Sequence, residues 1–125
     1  MADSERFQPI YERLKAILEP YAGRMVVQVD GPTDYSLVTP RVASLKKEMF
    51  FGAAQIKKNY VSYHLMPVYV HPQLLDGVSP ELKKRMQGKS CFNFTRLDPA
   101  TVAELTRLTA EGFALFERDY LSERA

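Results

Sequence analysis

The sequence predicts an α+β fold in which an N-terminal and a C-terminal helix flank a mainly antiparallel sheet. Apolar residues recur at helical spacing at both ends of the chain, and short β-branched and aromatic runs separated by turn residues fill the middle. With 125 residues, 46% of them apolar, the chain is long enough to bury one core without disulfides or metals. We therefore expect a single domain over residues 1–125 with the order α-β-β-β-β-α-β-α.

The first segment has the periodicity of an amphipathic helix. Its apolar residues are Phe7, Ile10, Tyr11, Leu14, Ile17, Leu18 and Tyr21. Pro9 suits a first helical turn, and Pro20 with Gly23 predicts the end of the helix. The short runs MVVQVD and YSLVT follow, separated by the turn residues 30–34, and they predict a hairpin.

Two longer strands are predicted next, MFFGAAQI and a return strand YVSYHLMPVYV that starts at Tyr60, with Lys57-Lys58-Asn59 as the turn. Alternation along the return strand separates two sets of side chains. One face receives Val61, Tyr63 and Leu65, and the other receives Tyr60, Ser62, His64 and Met66. Pro67 cannot donate to a ladder, so the strand lies at an edge, bulges or ends there.

Two further helices begin with the same cap signal, a capping residue followed by proline. Ser79-Pro80 predicts a short helix ELKKRM that ends at Gly88, and Asp98-Pro99 predicts a long last helix. Between them SCFNFT predicts a strand with alternating faces. The apolar stripe of the last helix contains Val102, Leu105, Leu108, Thr109, Gly112, Phe113, Phe116 and Tyr120. Gly112 allows a close approach to the sheet.

The run KKRMQGKSCFNF brings Gly88-Lys89-Ser90 and the only cysteine together. A phosphate-binding P-loop needs a glycine five residues before Gly88, a strand before the loop and a helix after it. Position 83 is lysine, a helix precedes the run and a strand follows it. The order of elements therefore excludes a P-loop and favours a glycine that stops a helix.

Catalytic and metal sites are not indicated by the remaining reactive residues. Cys91 would be a nucleophile if Lys89 or His64 stabilised its thiolate, but a free cysteine in a strand is more often a small buried side chain. His64 and His71 are seven residues apart in an extended segment, without the spacing of zinc ligands. We expect no enzyme activity, no metal and no cofactor.

The most suggestive feature is the polar and aromatic sheet face, because hydroxyls, an imidazole and a thioether can line a small-molecule pocket. A helix that covers this face is the alternative. The candidate ligand-binding residues are Tyr60, Tyr63, His64, Lys89 and Asn93.

Charge is distributed unevenly along the chain. Residues 41–96 carry ten basic and three acidic residues, a net charge of +7, whereas the flanks together carry −5. Such segregation attracts anions, although solvated turns explain it as well. The candidate partners are therefore a small anionic ligand or a protein segment, with nucleic acid as a minority alternative. No signal core or membrane-spanning run is seen, so we expect a soluble cytoplasmic protein, as a monomer or a homodimer.

Over residues 8–120 the chain resembles the YdhG-like family of small bacterial domains of unknown function. The matching pieces are MFFGAAQIKKNYVSYHLMPVY, LKKRMQGKSCFNF and LTRLTAEGFALF. The resemblance implies a helix-flanked antiparallel sheet, and some relatives are described as frataxin-like intracellular iron chaperones. A frataxin-type site has an acidic ridge on the first helix, whereas acidic and basic residues alternate here. The leading prediction is thus a non-enzymatic binding domain, with an iron chaperone as the alternative.

Overall fold

The computed structural model describes residues 3–42 and 45–121, and side chains from residue 6 onward within these ranges. The α-helices are α1 (Asp3–Leu18), α2 (Met66–Val70), α3 (Pro80–Lys83) and α4 (Pro99–Phe116). The strands are β1 (Val26–Asp30), β2 (Asp34–Val38), β3 (Phe50–Ile56), β4 (Val61–Leu65), β5 (Met86–Gln87) and β6 (Cys91–Phe94). Short 3-10 helices span Glu19–Arg24 and Pro72–Gly77, and a π-helical turn, Glu117–Leu121, follows α4.

The six strands of the described residues form one sheet in the order β1-β2-β3-β4-β6-β5, with every neighbouring pair antiparallel. The predicted α+β architecture with an antiparallel sheet and terminal helices is confirmed. In the part of the chain that the structure describes, no helix is both long enough and apolar enough to cross a membrane.

The hydrophobic core lies between one face of the sheet and the helices. Phe51 of β3 packs edge-on against Phe116 of α4, with ring centroids 5.4 Å apart. Tyr63 of β4 is completely buried, and its hydroxyl forms a 2.6 Å hydrogen bond with that of Thr109 on α4. The aromatic residues of the middle strands therefore hold α4 against the sheet.

Helix α1 buries the apolar stripe that its sequence predicts. Phe7, Leu14 and Leu18 are fully buried, and the Tyr11 hydroxyl donates a 2.7 Å hydrogen bond to the carbonyl of Gly31 in the β1–β2 turn. One detail of the prediction is wrong. The helix begins at Asp3, so Pro9 lies in the helix interior and not in the first turn.

Both predicted N-caps are confirmed. The Ser79 side chain accepts a hydrogen bond from the Leu82 N–H, and the Asp98 carboxylate accepts one from the Thr101 N–H. Ser79 also donates from its N–H and its hydroxyl to the two carboxylate oxygens of Glu104, at 2.6 and 2.7 Å. This double contact fastens the start of α3 to α4.

Two elements are shorter than the runs YVSYHLMPVYV and ELKKRM, and for the strand an end at Pro67 is one of the three outcomes that the sequence predicts. The strand that returns after Lys57-Lys58-Asn59 ends at Leu65, and the chain continues as α2, because Pro67 cannot donate to the ladder but fits a first helical turn. Helix α3 ends at Lys83 and is followed by the unpredicted strand β5. Gly88 has the left-handed φ of 81°, but it occupies the β5–β6 turn and does not close a helix.

The two edges of the sheet differ. Strand β5 has only two residues. Strand β1 has five, and its side chains Val26, Val27 and Val29 are exposed. A β-bulge interrupts the pairing of β1 with β2 between Val27 and Val29.

The sequence predicts that Gly112 allows a close approach of α4 to the sheet, but in the structure the close neighbour is Pro67 of helix α2. A Cβ atom at this position would lie 2.8 Å from the Cβ of Pro67. We expect Gly112→Ala to lower the free energy of unfolding by about 1–3 kcal/mol. The new methyl group and the Pro67 ring are each fixed to a helix backbone, so neither can move aside without shifting a helix. Chemical denaturation measures this loss.

Gly23→Ala is the matched control, since no atom lies within 4 Å of a Cβ at Gly23. Its free energy of unfolding should stay within about 0.5 kcal/mol of wild type. Equal stability of the two variants would contradict the close approach of α4 to α2.

Candidate functional site

The sheet face opposite the helices is open within the described ranges, and a cleft of about 350 Å³ lies on it. This volume falls within the range of small-molecule sites. Only side chains of the first four strands line the cleft. They are Gln28, Val29, Asp34, Ser36, Phe50, Ala53, Gln55 and His64. Of the polar face predicted from the sequence, His64 lines this cleft, and no helix of the described residues covers the cleft.

Strand register explains why a cleft forms here. Ser36 pairs with Ala53, and Ala53 pairs with His64, so these three side chains point to the same face. Ser36 and Ala53 are small and buried, and they form the floor. Phe50 and His64 form an aromatic wall, with ring centroids 6.5 Å apart.

Hydrogen bonds between side chains hold the polar rim in place. The Ser36 hydroxyl donates to Oε1 of Gln28 at 3.3 Å, which joins β2 to β1. The Gln55 amide donates to Oδ2 of Asp34 at 3.1 Å, which joins β3 to β2. The cleft is therefore built on rigid strands rather than on loops.

Asp34 is the only ionisable acid that lines the cleft. Its second oxygen, Oδ1, is buried and accepts no hydrogen bond from the described residues. A buried acceptor without a donor costs free energy. The carboxylate of Asp34 therefore has one acceptor that the described residues do not use.

His64 is the one imidazole in the cleft. Burial lowers its pKa, and the positive charge of Lys57 in the β3–β4 turn lowers it further. The ring is therefore neutral at physiological pH. Asp34 is the one acidic side chain of the lining and no lysine or arginine belongs to the lining, so the lining itself favours hydrogen-bond donors over anions.

Cys91 lies opposite His64 in the β4–β6 pair, on the same open face. Its thiol donates to Oδ1 of Asn93 at 3.3 Å, and burial raises its pKa, an effect that Lys57 partly offsets. The thiol form is therefore favoured, which is the opposite of what an activated nucleophile requires.

Tyr63 does not share the face of His64, and its assignment to this site is corrected. Neighbouring residues of a strand point to opposite faces, and Tyr63 is buried under α4, where burial raises its pKa far above the ordinary value. Tyr60 precedes β4 and is half-buried in the β3–β4 turn, where its carbonyl accepts from the Lys57 N–H. It does not line the cleft.

Asn93 is on the open face, paired with Ser62, but beyond the cleft lining. Lys89 lies elsewhere. It follows Gly88 in the β5–β6 turn and lines a separate apolar cleft of about 440 Å³. The other residues of that cleft are Val68, Tyr69, Pro72, Leu75, Met86 and Gly88. Of the five candidate residues, only His64 lines the cleft on the open face.

The sequence prediction missed Gln28, Asp34 and Phe50. Asp34 was assigned to a turn, yet it is the first residue of β2. The sequence does contain a signal for this position. If the strand begins at Asp34, alternation places Asp34 and Ser36 on the same face of the sheet. In the described part of the chain, no three His, Cys, Asp or Glu side chains come together as a metal site.

Comparisons with protein-family models, curated proteins and solved structures found no match for this chain. The function of the candidate site is therefore inferred from its geometry alone.

The pKa of His64 provides a test of this geometry. In an NMR titration of the imidazole we expect a midpoint below about 6.5, the ordinary value. Because the folded state disfavours the proton, stability should fall as the pH drops below about 6.5 toward the folded-state pKa. Lys57→Gln should raise the pKa of His64.

Lys58→Gln is the charge-matched control in the same turn, and it should leave the midpoint unchanged, since Lys57 but not Lys58 acts on His64. Equal shifts in both variants would show a general charge effect and would contradict the placement of Lys57.

Proposed function

We propose that this domain binds a small polar molecule in the cleft on the open sheet face, and that it does so without catalysing a reaction. The observation that carries the proposal is the half-buried Asp34, whose buried Oδ1 accepts no hydrogen bond from the described residues, in the lining of a cleft of small-molecule size. Binding supplies the hydrogen bond that the folded protein leaves unmade.

The lining also selects the kind of ligand. The carboxylate favours a ligand group with N–H or O–H donors. A cationic group such as an amine or amidine forms the strongest hydrogen bonds with it. Phe50 and His64 offer a ring edge and a neutral imidazole, against which a flat apolar portion packs. The anionic ligand expected from the basic middle of the sequence fits this cleft less well than a donor.

A binding role is favoured over a catalytic one by the state of the reactive groups. The thiol of Cys91 has a raised pKa and donates to Asn93 rather than to His64. Asp34 and His64 both line the cleft, but the carboxylate is held by Gln55 and does not orient the imidazole. A nucleophile with an activating base is therefore not supported.

A matched series of probes tests the ligand preference. Benzamidine, benzamide and benzoate share one ring and differ in charge and donors. We expect benzamidine, and more weakly benzamide, to shift the backbone amide signals of Ala53, Gln55 and His64 in two-dimensional NMR. Benzoate should leave them in place, because its carboxylate meets that of Asp34.

Two variants localise the effect. Ala53→Leu fills the floor of the cleft and should abolish the benzamidine shifts, while Asp34→Asn should weaken benzamidine by about tenfold and reduce its advantage over benzamide. Lys58→Gln, an exposed change in the β3–β4 turn, is the control with unchanged binding. Equal binding of benzoate would refute the donor requirement, and no binding of any probe would refute the site.

A further inference from the structure

Three basic side chains line a second cleft, which shares no residue with the cleft that contains Asp34. It has a volume of about 340 Å³ and lies where α3, the end of β6 and the start of α4 come together. Its lining consists of Glu81, Lys84, Arg85, Phe94, Arg96, Asp98 and Thr101. Three cations and two carboxylates give this lining a positive net charge.

The three cations are not neutralised by ion pairs. Among the described residues, Lys84, Arg85 and Arg96 form no salt bridge within 4.0 Å, although Glu81 and Asp98 line the same cleft. The Asp98 carboxylate is engaged at the start of α4. Hydrogen bonds from Thr101 lower its pKa, and Arg96 adds a smaller effect. The guanidinium groups therefore retain donors for another acceptor.

The backbone around this cleft is fixed on each side. The N–H of Asn93 donates to the carbonyl of Arg85 at 2.8 Å, which holds the end of α3 beside β6. Leu82 is buried, and the contact of Ser79 with Glu104 fastens α3 to α4. The cations are thus carried by a preorganised frame, which lowers the entropy lost on binding.

The surrounding surface adds to the positive potential. Val61 pairs with Ile56 on one side and with Phe94 on the other. The turn with Lys57 and Lys58 therefore lies at the same end of the sheet as Arg96. Of the basic residues in the middle of the sequence, Lys57, Lys58 and Arg96 thus share one end of the sheet.

We propose that this basic cleft binds a small oxyanion, and that a phosphate group is its preferred form. Arginine presents planar pairs of N–H donors that match phosphate oxygens, and lysine adds a point charge. Two arginines and one lysine have more N–H donors than a single carboxylate can accept, so these side chains match a phosphate group better than a carboxylate. The site is independent of the cleft that contains Asp34.

The test is a two-dimensional NMR titration of the full chain with inorganic phosphate and pyrophosphate at constant ionic strength. We expect saturable shifts confined to residues 81–85, 94–96 and 98–101, the three segments that line the cleft. Arg85→Gln and Arg96→Gln should each weaken binding by about tenfold. Both side chains are exposed, so the folded amide spectrum of each variant is expected to persist.

Controls separate a site from general attraction. Arg13→Gln removes the same charge from an exposed position on α1, and Ala53→Leu blocks the other cleft, so both should bind phosphate as wild type does. Shifts that do not saturate, or an equal loss with Arg13→Gln, would overturn the proposal. Binding of a single-stranded oligonucleotide without binding of phosphate or pyrophosphate would also overturn it, in favour of a nucleic-acid surface.

Discussion

The hydrogen bond between Tyr63 and Thr109 constrains the rest of the structure, because it joins the middle of the sheet to α4 inside the core. A buried hydroxyl pair is costly unless both groups are satisfied, and here each satisfies the other. With Tyr63 fixed under the helix, the pleat of β4 turns Ser62 and His64 to the opposite face. The helical layer and the open cleft are thus two consequences of one register.

Because the helices cover only one face of the sheet, the other face must expose little apolar surface to solvent. Ser36 and Ala53 are small and buried, and larger polar residues surround them, so this condition is met. The concave surface that results is a natural position for a ligand. The two clefts also have opposite electrostatic character, with Asp34 in one and three cations in the other. The net charge of a chain is therefore a poor guide to the ligand of a particular cleft.

The sequence was sufficient to predict the fold where periodicity and capping agree. The stripe of α1, the caps at Ser79 and Asp98, and the alternation of β6 are all local signals, and all are confirmed. Prediction failed where two elements compete for the same residues. Pro67 is compatible with a strand end and with a helix start, and packing against Gly112 decides for the helix.

The candidate sites were harder to predict, because they depend on which strands become neighbours. His64 was predicted because polar and aromatic residues alternate along its strand. Asp34 and Gln55, in contrast, form a hydrogen bond between two strands that are far apart in sequence. Arg85 and Arg96 were visible as charges, whereas their shared cleft requires the backbone bond between Asn93 and Arg85. Strand pairing and its register are properties of the assembled sheet, whereas the local patterns of this chain predict only which face of an element is buried.

The bulge in β1 has a consequence for how the molecule meets its own copies. An edge strand with exposed valines offers a template for adding another strand. The extra residue at the bulge twists the strand and breaks the regular spacing of its outward N–H and C=O groups. A bulge of this kind is one of the devices by which proteins make an edge strand a poorer template for another chain.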